Sequence, residues 1–163
     1  MTDTNQIRIK LSKQKLYLQD ENLEIIKEYS ISSSAFGAGN QYGSYKTPLG
    51  EHIIAEKIGE DAPLMEVFIG RQPQGVLSEL MQKAVDLPED IITSRIIWLE
   101  GREAGINQGG DVDSYQRYIY IHGTSEEDKI GSPASHGCIR MNNADVIELF
   151  DLVDTGCPVY IEK

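Results

Sequence analysis

Two short stretches carry the residue types that can do covalent chemistry. SPASHGCIRMN, residues 132–142, sets His136, Gly137 and Cys138 side by side with Arg140 two places on, and YIYIHGT, residues 118–124, contains His122 and Gly123. Thiolate chemistry needs a base or cation to hold the thiolate, donors for a developing oxyanion and a group that positions the substrate. Each has a candidate. His122 and His136 are both open as the base. Gly137 permits a tight backbone beside Cys138, so that successive N–H groups converge on one oxygen. Arg140 is a fixed cation that, in an extended segment, points to the same side as Cys138 and suits a substrate carboxylate.

Two other readings of Cys138 stand beside this one. A lone intracellular cysteine is commonly a small buried hydrophobe, and that is the reading for Cys157. His122, His136 and Cys138 also make three zinc-ligand types, but the C-x-x-C and H-E-x-x-H spacings are absent and no fourth ligand is evident. No metal or cofactor is therefore expected. His52, beside the turn in TPLGEHII, reads as a surface or structural residue.

The elements that must position these residues are mostly strands. IRIKL alternates with Ile7, Ile9 and Leu11 on one face. KLYLQ, the turn Asp20-Glu21-Asn22 and LEIIKEYSIS read as a hairpin. Residues 33–44 form a Gly/Ser-rich loop, Thr47-Pro48-Leu49-Gly50 a turn, and HIIAEKI a strand. Within 60–95, GVLSELMQKAV spaces Val76, Leu77, Leu80, Met81 and Ala84 as a short amphipathic helix, with Pro63, Pro73 and Pro88 breaking its flanks. RIIWLEG is a buried strand and 102–113 a polar surface loop without a phosphate-loop pattern. RYIYIHG places Tyr118, Tyr120 and His122 on one face of a strand and Ile119 and Ile121 on the other. A helix follows the cysteine segment, capped by Asn142 or Asn143 and ended by Gly156 and Pro158, before the last strand PVYIE.

The 163 residues suit one domain, 1–163, with 60–115 as a variable insertion or lid. A formal net charge of −11 argues against nucleic acid or an anionic membrane as main partner, because both need a basic face. The start MTDTNQIRIK lacks the apolar core of a signal peptide, and no apolar run approaches a membrane span. A cytoplasmic location is the expectation, or a periplasmic one for a longer precursor.

The HGT and SHGCIRM segments together resemble the signature of L,D-transpeptidase catalytic domains of the YkuD type, in which a histidine precedes a Ser/Thr-His-Gly-Cys block by a short spacer. His122 lies 16 residues before Cys138. IRIKLSKQKLYL, YKTPLGEHII and GCPVYIE extend the resemblance over nearly the whole chain, least so in 60–115. It implies a mainly β fold with minor α, of β-sandwich-like mixed sheets and a short helix after the cysteine segment. It also implies Cys138 as nucleophile and His122 as general base, oriented by a backbone carbonyl such as that of Gly123. The N–H groups of His136, Gly137 and Cys138 would receive the oxyanion, and Arg140, Ser135 and Tyr120 would contact substrate. The sequence alone leaves His136 open as the base.

The substrate class implied is the peptidoglycan stem peptide or muropeptide. Its L,D bond, between a diamino acid and terminal D-Ala, would be cleaved through a thioacyl enzyme. The absent export signal favours an L,D-carboxypeptidase that trims tetrapeptides to tripeptides in wall recycling. The alternatives are an L,D-transpeptidase that forms 3→3 cross-links or exchanges D-amino acids, and a non-catalytic peptide-binding module.

Overall fold

A computed structural model describes residues 4–163. Its strands are β1 (Gln6–Lys10), β2 (Lys15–Gln19), β3 (Ile25–Ser32), β4 (Gly50–Ile58), β5 (Glu66–Ile69), β6 (Gln72–Val76), β7 (Ile92–Gly101), β8 (Tyr120–Thr124), β9 (Ile139–Met141) and β10 (Pro158–Glu162). Helix α1 (Leu77–Gln82) follows β6, and α2 (Asn143–Leu152) follows β9. The sheet runs β4-β10-β1-β2-β3-β9-β8-β7-β5-β6, and β4 pairs again with β7. Eight strands thus close into a ring, which removes most exposed edges, and the β5–β6 hairpin hangs from β7. Pairs β1–β10 and β8–β9 are parallel; the other ladders are antiparallel. The mainly β fold with mixed pairing is as expected.

The ring closes because β7 is long. Its Ile92 and Thr93 pair with β5, while the stretch from Ile96 to Gly101 pairs with β4. Inside, Ile7, Ile9, Leu16, Leu18, Ile31, Ile54, Ile97, Leu99, Ile121 and Ile139 pack against Val146, Leu149 and Phe150 of α2. Ile96 and Trp98 of β7 face the other way, into a second cluster with Phe68 and Tyr120. β7 is therefore buried on both faces, which is why RIIWL reads as an unbroken apolar run.

Two expectations need correction. The helix expected over 75–85 spans only Leu77–Gln82; Leu80 is its buried residue and Met81 is 66% exposed. The hairpin before it left no sequence signal, because its turn residues are Gly70 and Arg71 rather than Asn-Gly. Both adopt positive φ (55° and 66°), as a two-residue hairpin turn demands. Pro73 sits in β6, the last strand of the sheet, where a missing N–H is tolerated. Tyr118 does not belong to the strand either. Its φ is 57° and its N–H donates to the Tyr115 carbonyl, so the chain turns there and β8 starts at Tyr120.

Candidate active site

The parallel pairing of β8 with β9 builds the site. His122 is in register with Arg140 and Ile121 with Ile139. Alternation sends Ile121 and Ile139 into the core, so Tyr120, His122, Cys138 and Arg140 share the outer face. Cys138, half-buried just before β9, packs against the Trp98 and Tyr120 cluster. Its Sγ accepts the Tyr120 N–H and donates to the Tyr118 carbonyl, both at 3.3 Å. Burial pushes the thiol up to about 12, against the lowering effect of the Tyr120 N–H.

His122 is fully enclosed. Its Nδ1 lies 2.5 Å from the Gly123 carbonyl, the partner expected from sequence. That bond fixes Nδ1 as the protonated nitrogen and leaves Nε2 as the basic atom. Burial lowers the His122 pKa, while Asp90 and the carbonyl bond oppose the shift. Gly123 has no room for a side chain: a Cβ would collide with Asn143 Oδ1 and the Thr93 carbonyl. His136 is 51% exposed at its side chain, and its Nδ1 approaches Asp90 Oδ2 at 3.3 Å.

The block around the cysteine is tied from below. Gly137 has φ +127°, closed to most residues, and a Cβ there would press on the Lys46 carbonyl at 3.3 Å. Thr47, from the Thr-Pro turn, donates to the Gly137 carbonyl at 3.0 Å. Ser135 is buried and structural in its contacts: its Oγ donates to the Cys138 carbonyl at 2.6 Å and accepts the Gly137 N–H at 3.2 Å. The Gly137 N–H thus has a partner in this state and must turn from it to serve an oxyanion.

Arg140 differs from expectation. It does not stand free for a substrate carboxylate: its side chain is 2% exposed and pairs with Asp90 at 2.8 Å and Glu126 at 3.2 Å. Burial alone would raise Asp90; His122 and Arg140 overcome that and hold its carboxyl below the usual range. Sequence reasoning missed Asp90 and Glu126, because neither belongs to a motif and each meets the site only through the fold. Tyr120 also has an unforeseen partner, since Arg71 donates to its hydroxyl at 3.2 Å.

Two clefts flank His136 and Tyr45. One, of about 220 Å³, is lined by Tyr42, Tyr45, Arg117, Tyr118 and His136 among others. The other, of about 500 Å³, is lined by Phe36, Tyr45, Glu89, Asp90 and His136. Among the described residues, no three His, Cys, Asp or Glu side chains converge to hold a metal ion.

The L,D-transpeptidase catalytic domain family (YkuD) matches residues 4–161. The chain belongs to that family. Over 62 residues it is 42% identical to "Putative L,D-transpeptidase YkuD" of Bacillus subtilis, covering 35% of this chain and 38% of that protein. A Bacillus licheniformis protein of the same name matches at 42% over 60 residues, covering 34% of this chain and 36% of that protein. An L,D-transpeptidase structure from Xylanimonas cellulosilytica superposes with a TM-score of 0.60 at 18% identity, covering 99% of this chain and 62% of that one. One from Enterococcus faecium gives 0.58 at 17% identity, covering 98% and 50%. The solved relatives thus share the fold, and the chain spans about half to two thirds of their length.

Proposed function

We propose that this L,D-transpeptidase domain cleaves the L,D bond of peptidoglycan stem peptides through a thioacyl enzyme on Cys138. The observation that carries the reading is that Cys138 and the enclosed His122 share one outer face of β8 and β9, with the imidazole's orientation fixed by the Gly123 carbonyl. Thiol and imidazole are both neutral at rest, so His122 acts as a general base during attack rather than as a preformed cation.

Sγ bonds to the carbonyl carbon of the diamino acid's L-centre, and His122 Nε2 takes the thiol proton. The C–N bond to D-Ala then breaks, and the same proton leaves with the D-Ala amine. An incoming nucleophile next attacks the thioester, gives its proton to His122 and restores the thiol. An amine acceptor yields a cross-link or an exchanged terminus. Water yields the tripeptide of an L,D-carboxypeptidase, a second fate of the same intermediate.

Mass spectrometry of products from a disaccharide tetrapeptide, with and without a D-amino acid as amine acceptor, tests both levels. Free D-Ala that disappears in Cys138→Ala supports the chemistry, and the ratio of exchanged peptide to tripeptide assigns the fate. No Cys138-dependent product would leave the peptide-binding module as the reading.

A further inference from the structure

Arg140 is enclosed between two carboxylates, and among the described residues another cation stands on the β5–β6 hairpin. Arg71 stands at the tip of the β5–β6 hairpin. Its guanidinium lies 5.0 Å from the Trp98 ring centroid and 5.3 Å from that of Tyr118, and it donates to the Tyr120 hydroxyl at 3.2 Å. Tyr120 is also the residue whose N–H meets Cys138 Sγ. Rings on two sides and one hydrogen bond hold the guanidinium in place while most of its five donors stay open.

Among the described residues no carboxylate forms an ion pair with Arg71. Glu56, whose charge acts on it, accepts a hydrogen bond from the Tyr115 hydroxyl. Arg117 is a poorer candidate, because it bonds the Lys46 carbonyl at 2.7 Å and the Gly39 carbonyl at 3.4 Å. Tyr118, whose ring borders Arg71, is held at φ 57°, is 53% exposed and lines the smaller cleft. A left-handed conformation is unusual for a bulky aromatic residue and tends to mark functional positions.

We infer that Arg71, held against Trp98, Tyr118 and the Tyr120 hydroxyl, binds a carboxylate of the peptide on which Cys138 acts. The inference rests on the proposed peptide chemistry. A stem peptide offers two sources of that group. The terminal carboxylate is three bonds, about 4 Å, from the carbonyl carbon under attack. A diaminopimelate residue adds a second carboxylate at its distal centre. The rigid guanidinium fork suits either one.

Calorimetry on Cys138→Ala protein, which binds without turnover, tests the assignment. Adding Arg71→Ala is expected to weaken binding of a diaminopimelate tetrapeptide roughly tenfold or more, with part recovered by Arg71→Lys. The effect should vanish on the peptide that lacks the bound group. A terminal carboxamide that erases it identifies the terminal carboxylate; lysine in place of diaminopimelate identifies the distal one. Equal losses on all three peptides, no loss on any, or no binding at all would overturn the proposal. So would a carboxylate-specific loss in Arg117→Lys but not in Arg71→Ala. Turnover by the protein with Cys138 intact is read separately. Arg71-dependent binding without turnover keeps the carboxylate site and sinks the enzyme reading; turnover with Arg71-independent binding does the reverse.

Discussion

Burial holds both Cys138 and His122 uncharged, the first by raising its pKa and the second by lowering it. In the proposed mechanism His122 acts as a base when neutral, so the acid limb of kcat/KM should fall below the ordinary histidine value of 6.5. A pH–rate profile checks this; a limb above that value would mean that His122 gains more from Asp90 than it loses to burial. His122→Ala should lower kcat by about 10²–10⁴-fold, the usual worth of a general base. His136→Ala should act mainly through KM, because that ring is exposed and lines both clefts. Steady-state kinetics of the two variants separate the base from its neighbour. The motif residues were legible before folding because their chemistry depends on local order. The state of Arg140 was not, since its partners lie 50 and 14 residues away in sequence.

At the scale of elements, β8 and β9 set Cys138 and His122 on one face, and the excursion from β5 to the start of β7 reaches the residues around them. The strands were readable from apolar alternation, as at Ile7 and Ile9 of β1. The β5–β6 hairpin was not, because its turn uses Gly-Arg and its second strand carries proline and glycine. The excursion delivers Asp90 to Arg140 and His136 and delivers Arg71 to Tyr120. Asp90→Asn should move the acid limb of kcat/KM to lower pH, because the carboxylate favours the His122 imidazolium; an unmoved limb would remove Asp90 from the electrostatics of the base. Arg140→Ala should destabilise the fold in urea unfolding, since Asp90 loses its guanidinium and Glu126 keeps only the exposed Lys129. The loss should stay below the roughly 3–5 kcal/mol of a fully buried pair, because both acids keep some contact with water. The start of α2 was placed correctly near Asn142, but the cap comes from elsewhere. Glu127 accepts the Asn143 N–H at 2.7 Å, and the buried Asn143 side chain ties α2 to Thr93, Ser94 and Thr124.

Across the whole molecule, the closed ring makes stability depend on groups far from the nucleophile. His52 is buried, with Nδ1 3.0 Å from the Gly50 carbonyl and Nε2 2.8 Å from Ser114 Oγ. Its role is structural, as the sequence suggested, but it lies inside the fold. Burial lowers its pKa from 6.5 to about 4. Above the unfolded value neither state binds a proton. On acidification the unfolded chain takes one that the folded chain refuses until about pH 4, so stability is lost through that window. His52 alone should remove about 2 kcal/mol between roughly pH 7 and 5, and His122 adds a loss of the same sign. Urea unfolding at the two pH values should show less dependence in His52→Gln; an unchanged dependence would place the acid sensitivity elsewhere.

A covalent bond between Cys138 and the peptide can be read by intact-protein mass spectrometry after rapid mixing with a tetrapeptide. The expected result is an adduct equal to the peptide minus its terminal D-amino acid, mapped to Cys138 and absent in Cys138→Ala. Release of D-Ala with no adduct on Cys138, or an adduct that persists in Cys138→Ala, would contradict it.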